Sequence, residues 1–286
     1  MMKFMLGLIF ITRPVLFIPV IGFALFGYRA AEAANGFLNP LSWEVLYKIF
    51  LFCLSVAAVY VLNQLVDYRV DRENGGFPLL LKSRISPVAA FLWMSFLALA
   101  SLALPLFHGW YDLFFLSAAS LLLGIVYCVR PFYFMGRPVL DFFSNGLGYG
   151  GIAFLAGYMS SLRGNFDTAA VLASLPYVFF MGAGSVSSTI PDIPGDKMNG
   201  KITTAVYMGA FRAHLLAFLL LGCAFFLALW QGDAVAQIIS LVAMPFYIAY
   251  ILRQTRFLME LVYKGGGAFS MLAIGIVYPR FIIVAA

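Results

Sequence analysis

Apolar residues run along this chain in blocks of about 20, separated by polar or Pro/Gly-rich breaks. About 20 consecutive apolar residues is the length an α-helix needs to cross a bilayer core. An outer-membrane barrel would instead show short segments alternating apolar and polar, and the blocks do not alternate. Nine spans are predicted, near 14–30, 44–67, 87–107, 111–129, 138–160, 169–190, 211–230, 234–252 and 267–285. The expected fold class is therefore all-α, a polytopic membrane protein with about nine transmembrane helices around a central cavity under a cytoplasmic polar cap. No linker or shift in composition divides the chain, so residues 1–286 read as a single domain.

Composition strengthens this reading. Hydrophobic residues make up 63% of the chain and charged ones only 10%, where a soluble domain has about a quarter charged. The net charge of +6 could point to nucleic acid in a soluble protein. Here the positions of the basic residues assign it to loops, and no nucleic acid partner is expected. With the N-terminus in the cytoplasm, fourteen of the eighteen Lys and Arg fall on the inner side, leaving Arg29, Lys48, Arg163 and Arg280 outside. That asymmetry is the positive-inside rule, and it places the chain in the inner or plasma membrane with its polar loops cytoplasmic. Residues 14–29 precede a faint cleavage-like Ala31-Glu32-Ala33. The stretch before them, Phe4 to Ile11, is itself apolar rather than a charged leader region, so a retained first helix is expected. Cys53, Cys128 and Cys223 stand singly, as do His108 and His214, which excludes a redox pair, a zinc motif or a His-based triad.

The twelve acids carry the chemistry. Five lie in two short stretches: Asp67, Asp71 and Glu73 after the second span, and Asp192 and Asp196 after the sixth. Asn63, Asp67 and Asp71 are four apart and so form one polar stripe at a helix end. Ser188, Asp192 and Asp196 repeat the spacing, with Pro191, Pro194 and Gly195 breaking the helix there. Carboxylates sharing a face repel unless a cation lies between them. A hard divalent ion answers this, and Mg²⁺ takes one or two carboxylates and fills its shell with water and substrate phosphates. Two such clusters facing across a cavity would hold a diphosphate. Arg13, Lys82, Arg84, Arg130, Arg137, Lys197 and Lys201 lie on the same side and supply positive charge for it.

With these elements the chain resembles the UbiA superfamily of intramembrane prenyltransferases. The resemblance rests on Arg13-Pro14, the Asn63/Asp67/Asp71 motif, Arg84-Ile85-Ser86, Tyr127 with Pro131, Asn145 in a Gly-rich fifth helix, and Asp192 to Asp196 followed by Lys197, Gly200 and Lys201. It implies transfer of a polyprenyl group from an allylic polyprenyl diphosphate to a lipophilic acceptor. Asn63, Asp67, Asp71, Asp192 and Asp196 would then bind Mg²⁺ and diphosphate. Arg13, Lys82, Arg130, Asn145, Lys197 and Lys201 would contact the diphosphate, and Tyr127 would face the developing allylic cation. Asp141, near the start of the fifth span, is the candidate for removing the final proton. The chain departs from the family pattern at Pro78 to Leu81, Ser83, Arg130, Tyr133 and Met135, so acceptor type does not follow from the resemblance. The alternative is a cation-coupled transporter, whose ion-binding acids belong near helix centres. The paired aspartates here lie at helix ends. A CDP-alcohol phosphotransferase would need a denser Asp-x-x-Asp-Gly pattern, which the sequence lacks.

Overall fold

The computed structural model describes residues 2–32, 40–73, 80, 83 and 85–278, with side chains over the same ranges except 2–3 and 68–73. Asp71 and Lys82 therefore lie outside the residues whose side chains are described. Among the described residues the fold is helical throughout, with eight helices long and apolar enough to span a membrane. A ninth rod, 140–158, is continuous but changes from α to π over Gly146–Ala153 and back to α.

The chain opens with α1 (Met2–Ile11), which at about 15 Å is too short to span. It packs Leu8 and Ile11 against Val61, Ile85 and Ala90, beside the ends of the second and third spans. Helical structure thus begins well before residue 14, earlier than the apolar pattern suggested. Pro14 has no N–H to continue the helix, and Arg13 turns the corner at φ 54°. The chain continues as α2 (Phe17–Ala31), and the first spanning segment, Phe4–Ala31, takes in this corner.

The remaining long helices are α3 (Trp43–Glu73), α4 (Pro87–Phe107), α5 (Tyr111–Cys128), α6 (140–158), α7 (Thr168–Thr189), α10 (Ala210–Gln231), α11 (Ala234–Leu252) and α12 (Arg256–Val277). Two short helices, α8 (Ile193–Met198) and α9 (Thr204–Met208), follow α7. Several starts are capped. Ser86, Asp167, Thr203, Asp233 and Thr255 each accept a bond from the backbone N–H three residues on. The ninth span begins at Arg256 rather than 267. The rod passes through Gly265 to Gly267, with a π turn over Leu261–Gly265 and Gly266 packed near Ala243.

One core joins α2, α3, α5, α6 and the first half of α7 with parts of α10, α11 and α12, and a second joins the latter half of α7 with α9 to α12, so α7, α10, α11 and α12 contribute to both. Ala213, Ala217, Ala224 and Ala228 form a fully buried small-residue stripe on α10, which lets its neighbour approach closely. The α2–α6 crossing is tighter still. A Cβ on Gly27 would lie 1.8 Å from the Phe154 carbonyl oxygen, and one on Gly157 would lie 1.7 Å from that of Ala24. Of the apolar window in α3, 56% is buried, against 22% in α4. Hence α3 is central and α4 faces lipid.

Candidate active site

The break predicted after α7 is real. The helix stops at Thr189, and Pro194, tolerated in a first turn, opens the six-residue α8. This fold-back returns Lys201 toward the first half of the bundle. A cavity of about 270 Å³ lies among the α1–α2 corner, α3, α5 and α6, with Met135 and Lys201 contributed from loops. Its walls include Arg13, Asn63, Asp67, Tyr127, Asn145 and Lys201. Six side chains chosen from the sequence thus meet in one space.

On α3, Asp67, Asn63, Tyr60 and Val56 all line the cavity, one face of a 3.6-residue helix descending about 16 Å. Asn63 donates through Nδ2 to Met135 Sδ (3.4 Å) and Cys128 Sγ (3.7 Å), which leaves its oxygen as the end suited to a hard cation. Facing this wall, Lys201 Nζ stands 3.6 Å from Asp196 Oδ1, and Thr203 Oγ1 donates to Asp196 Oδ2 (3.3 Å). Asp192 keeps a surface open to solvent. Partial burial, then the like charge of Asp196, raises its carboxyl above the usual aspartate range, and Lys201 opposes the rise.

The two motifs are joined electrostatically by the loop between α5 and α6. Tyr133, at φ 49°, packs on Gly136, where a Cβ would strike its ring at 2.4 Å. Its phenol is raised by burial and then by Asp67, with Asp196 also acting on it, while Arg130 lowers it. Arg130 lies over the same ring, 5.4 Å from its centroid. Arg130 is thus held beside the site rather than in the cavity wall. Lys197 is exposed on α8 and does not line the cavity.

Asp141 requires a correction. It is buried, but outside the cavity lining, and both its oxygens accept from Thr204: Oδ2 from the backbone N–H (2.7 Å) and Oδ1 from the hydroxyl. Thr204 Oγ1 in turn accepts from the Val139 N–H (2.7 Å). This side chain clamps the start of α6 to the start of α9 and is not presented to a substrate.

Polar lining residues that escaped the sequence reading include Tyr60, Tyr149 and Ser144. The signal was periodicity. Tyr60 precedes Asn63 by three residues, and Tyr149 follows Asn145 by four. The Tyr60 hydroxyl lies 2.6 Å from that of Tyr149 and donates to the Leu16 carbonyl (3.1 Å).

The residues present fit a magnesium ion. Asn63, Asp67, Asp192 and Asp196 offer hard oxygen donors. Among the described residues no three carboxylates, thiols or imidazoles converge into a closed cage, so substrate phosphate and water would complete the shell. An anion is also provided for: Arg13 Nε is buried and has no hydrogen-bond partner among the described residues.

The fold and the cavity define a multi-pass helical membrane protein in which Asn63 and Asp67 share one apolar-walled chamber with the cationic Arg13 and Lys201. The sequence profile of the UbiA prenyltransferase family matches residues 20–260, and the chain belongs to that family. It is 27% identical over 232 residues to the digeranylgeranylglyceryl phosphate synthase of Sulfolobus acidocaldarius, covering 78% of this chain and 81% of that one. It is 30% identical over 234 residues to the 2-acyl-4-prenylphloroglucinol 6-prenyltransferase of Humulus lupulus, covering 76% of this chain but only 54% of the longer plant protein. A UbiA homologue from Archaeoglobus fulgidus, solved with GPP and Mg²⁺, superposes with a TM-score of 0.70 at 20% identity, covering 97% of this chain and all of the other.

Proposed function

We propose that this chain is a Mg²⁺-dependent prenyltransferase, moving a polyprenyl group from an allylic polyprenyl diphosphate to a lipophilic acceptor and releasing diphosphate. The observation that carries this is the meeting of Asp67 with Lys201, the ion-pair partner of Asp196, in one cavity that also holds Arg13, whose Nε has no hydrogen-bond partner among the described residues. The named relatives agree in class: one is a digeranylgeranylglyceryl phosphate synthase and another a prenylphloroglucinol prenyltransferase. A transporter is disfavoured because Asp67, the one acid among the described lining residues, stands at the end of its span.

In this reading Asn63, Asp67, Asp71, Asp192 and Asp196 hold the metal–diphosphate. Arg13 and Lys201 bind phosphate oxygens directly, with Lys82, Arg130 and Lys197 adding positive potential around them. When bound, Mg²⁺ neutralises the diphosphate and makes it a better leaving group. The Tyr127 ring, fixed by the bond from Asn145 Nδ2 to its hydroxyl (3.3 Å), stabilises the allylic cation with its face. Val20, Val56, Leu123 and Ala153 line the apolar part of the chamber and keep water from the cation. The loops of the site face the cytoplasm and the membrane is the inner or plasma membrane, a placement supported by the distribution of Lys and Arg. Residues 1–286 act as one domain.

The test is incubation of the purified protein in nanodiscs with labelled geranylgeranyl diphosphate and a membrane-lipid extract. A Mg²⁺-dependent prenylated product, identified by mass and lost with EDTA, is expected. Neither product nor diphosphate release in the presence of Mg²⁺ would overturn the reading.

A further inference from the structure

The cavity wall carries hydroxyl and amide groups whose hydrogen-bonding capacity is not fully used among the described residues. Counting protons identifies them. The Tyr60 O–H goes to the Leu16 carbonyl, so the contact between the two phenols is a donation from Tyr149, and that pair is complete. Asn145 uses both amide hydrogens, one to the Tyr127 hydroxyl oxygen (3.3 Å) and one to Ser185 Oγ (2.9 Å). Tyr127 therefore accepts and retains its own O–H to donate, while Asn145 retains its carbonyl oxygen to accept. Ser144, adjacent on the same turn of α6, is 4% exposed and lines the cavity, and its Oγ has no hydrogen-bond partner among the described residues.

A buried hydroxyl without a partner is costly, and here three polar groups share one patch of wall. We propose that Ser144, Tyr127 and Asn145 form the acceptor subsite and hold a neutral hydroxyl of the acceptor, a phenol or an alcohol. This rests on the prenyl-transfer reading and narrows its acceptor class. The complement fits: one donor (Tyr127), one acceptor (Asn145) and one group that does either (Ser144) match a ligand hydroxyl, which both donates and accepts. A hydrocarbon acceptor would leave all three unmatched. A carboxylate would find no cation among these three groups, since none of them carries a positive charge. The arrangement gives Tyr127 two roles, with the ring facing the allylic cation and the hydroxyl holding the nucleophile beside it. It also moves Asn145 from the diphosphate, where the family resemblance put it, to the acceptor.

The test uses three probes of matched shape, 1-naphthol, naphthalene and 1-naphthoate. Equilibrium binding is measured to the protein in nanodiscs preloaded with Mg²⁺ and geranyl thiodiphosphate, with empty nanodiscs subtracted. Naphthol is expected to bind at least tenfold tighter than either of the others. Ser144→Ala should bring naphthol down to the naphthalene level, and Ser144→Thr should preserve the preference. Tyr127→Phe, which keeps the ring, should also reduce it, and serves as a second variant should Ser144→Ala misfold. Naphthalene or naphthoate binding as tightly as naphthol, or a preference unmoved by Ser144→Ala and Tyr127→Phe, would overturn the subsite. Loading of the thiodiphosphate is read separately. If it shows no Mg²⁺ dependence and survives Asp67→Asn, the prenyl-diphosphate reading itself fails, and the subsite fails with it.

Discussion

Lys201 Nζ lies 3.6 Å from Asp196 Oδ1, and the same lysine lines the cavity whose far wall carries Asp67. A partly exposed ion pair of this kind stabilises a fold by only about 0–1 kcal/mol. It is weak enough to exchange, so Lys201 is free to turn to a phosphate while Asp196 turns to a cation. Lys201→Met should therefore weaken donor binding about 10- to 100-fold, the loss of one charge-assisted contact. Thermal stability should hardly change. A melting curve and a KM for the donor measured on one preparation separate these effects, and a large fall in Tm with unchanged KM would contradict the assignment.

Asp67→Asn and Asp192→Asn should each reduce prenyl transfer by about 10³-fold or more, because both remove preset charge that neutralises the leaving group. Both variants should still insert and run as folded protein on size exclusion. Full activity in either one would remove the metal–diphosphate site from the mechanism.

The same Asp192→Asn change has an opposite effect on stability. Burial and Asp196 raise the Asp192 carboxyl in the folded chain, so its ionised form is strained there relative to the unfolded chain. The folded state gains stability from this group when it is protonated, and that gain is lost as pH rises through the raised value. In EDTA at pH 7, Asp192→Asn should melt above the wild type. As the pH falls through the raised value and the wild-type group takes up its proton, the difference should shrink. A Tm difference independent of pH would refute this account.

How much of this was legible in the sequence differs by feature. The spans were readable because apolar length is a property of contiguous residues. The stripe Asn63/Asp67 was readable because both lie on one helix. The corner at Arg13, the early start of α12 at Arg256 and the clamp at Asp141 were not, since each depends on what packs against the residue. Three consecutive glycines at 265–267 give no local support to a helix, yet against α11, where Gly266 packs near Ala243, the rod runs through them. Asp141 looked like a base because it was an acid at a span end. Only its partner Thr204, 63 residues away, shows that its oxygens are already engaged. Tyr60 and Tyr149 were visible in principle, one helical turn from residues already chosen, but a tyrosine in an aromatic-rich span carries no signal by composition alone.

The clamp itself makes a prediction. Val139 sits at φ 70°, a conformation that β-branched residues rarely adopt, held by its N–H bond to Thr204 Oγ1. Thr204→Val removes the hydroxyl and leaves the Val139 N–H and one Asp141 oxygen without their partner. This should destabilise the protein by about 1–3 kcal/mol. Val139→Gly should relieve backbone strain and be neutral or stabilising by up to about 1 kcal/mol. Denaturation of both variants in a fixed detergent tests the pair, and a strongly destabilising Val139→Gly would show that the valine side chain matters more than its backbone.

The two phenols that close the inner part of the chamber should respond unequally to the same chemical change. Tyr60 donates to Leu16 and accepts from Tyr149, so it is the central link of a three-member chain. Tyr149→Phe removes the end donor and leaves the bond from Tyr60 to Leu16 intact, so the loss should be about one net hydrogen bond, ~1 kcal/mol or less. Tyr60→Phe removes both bonds at once, the one to the Leu16 carbonyl and the one from Tyr149, and leaves the Tyr149 O–H without its acceptor, so it should cost more, about 1–3 kcal/mol. The double variant should cost less than the sum of the two, since the shared bond can be lost only once. Because Leu16 follows directly on the turn that places Arg13, Tyr60→Phe should also raise the donor KM, whereas Tyr149→Phe should not. Equal effects of the two substitutions on stability and on KM would mean that the phenols act as separate packing groups rather than as a directed chain.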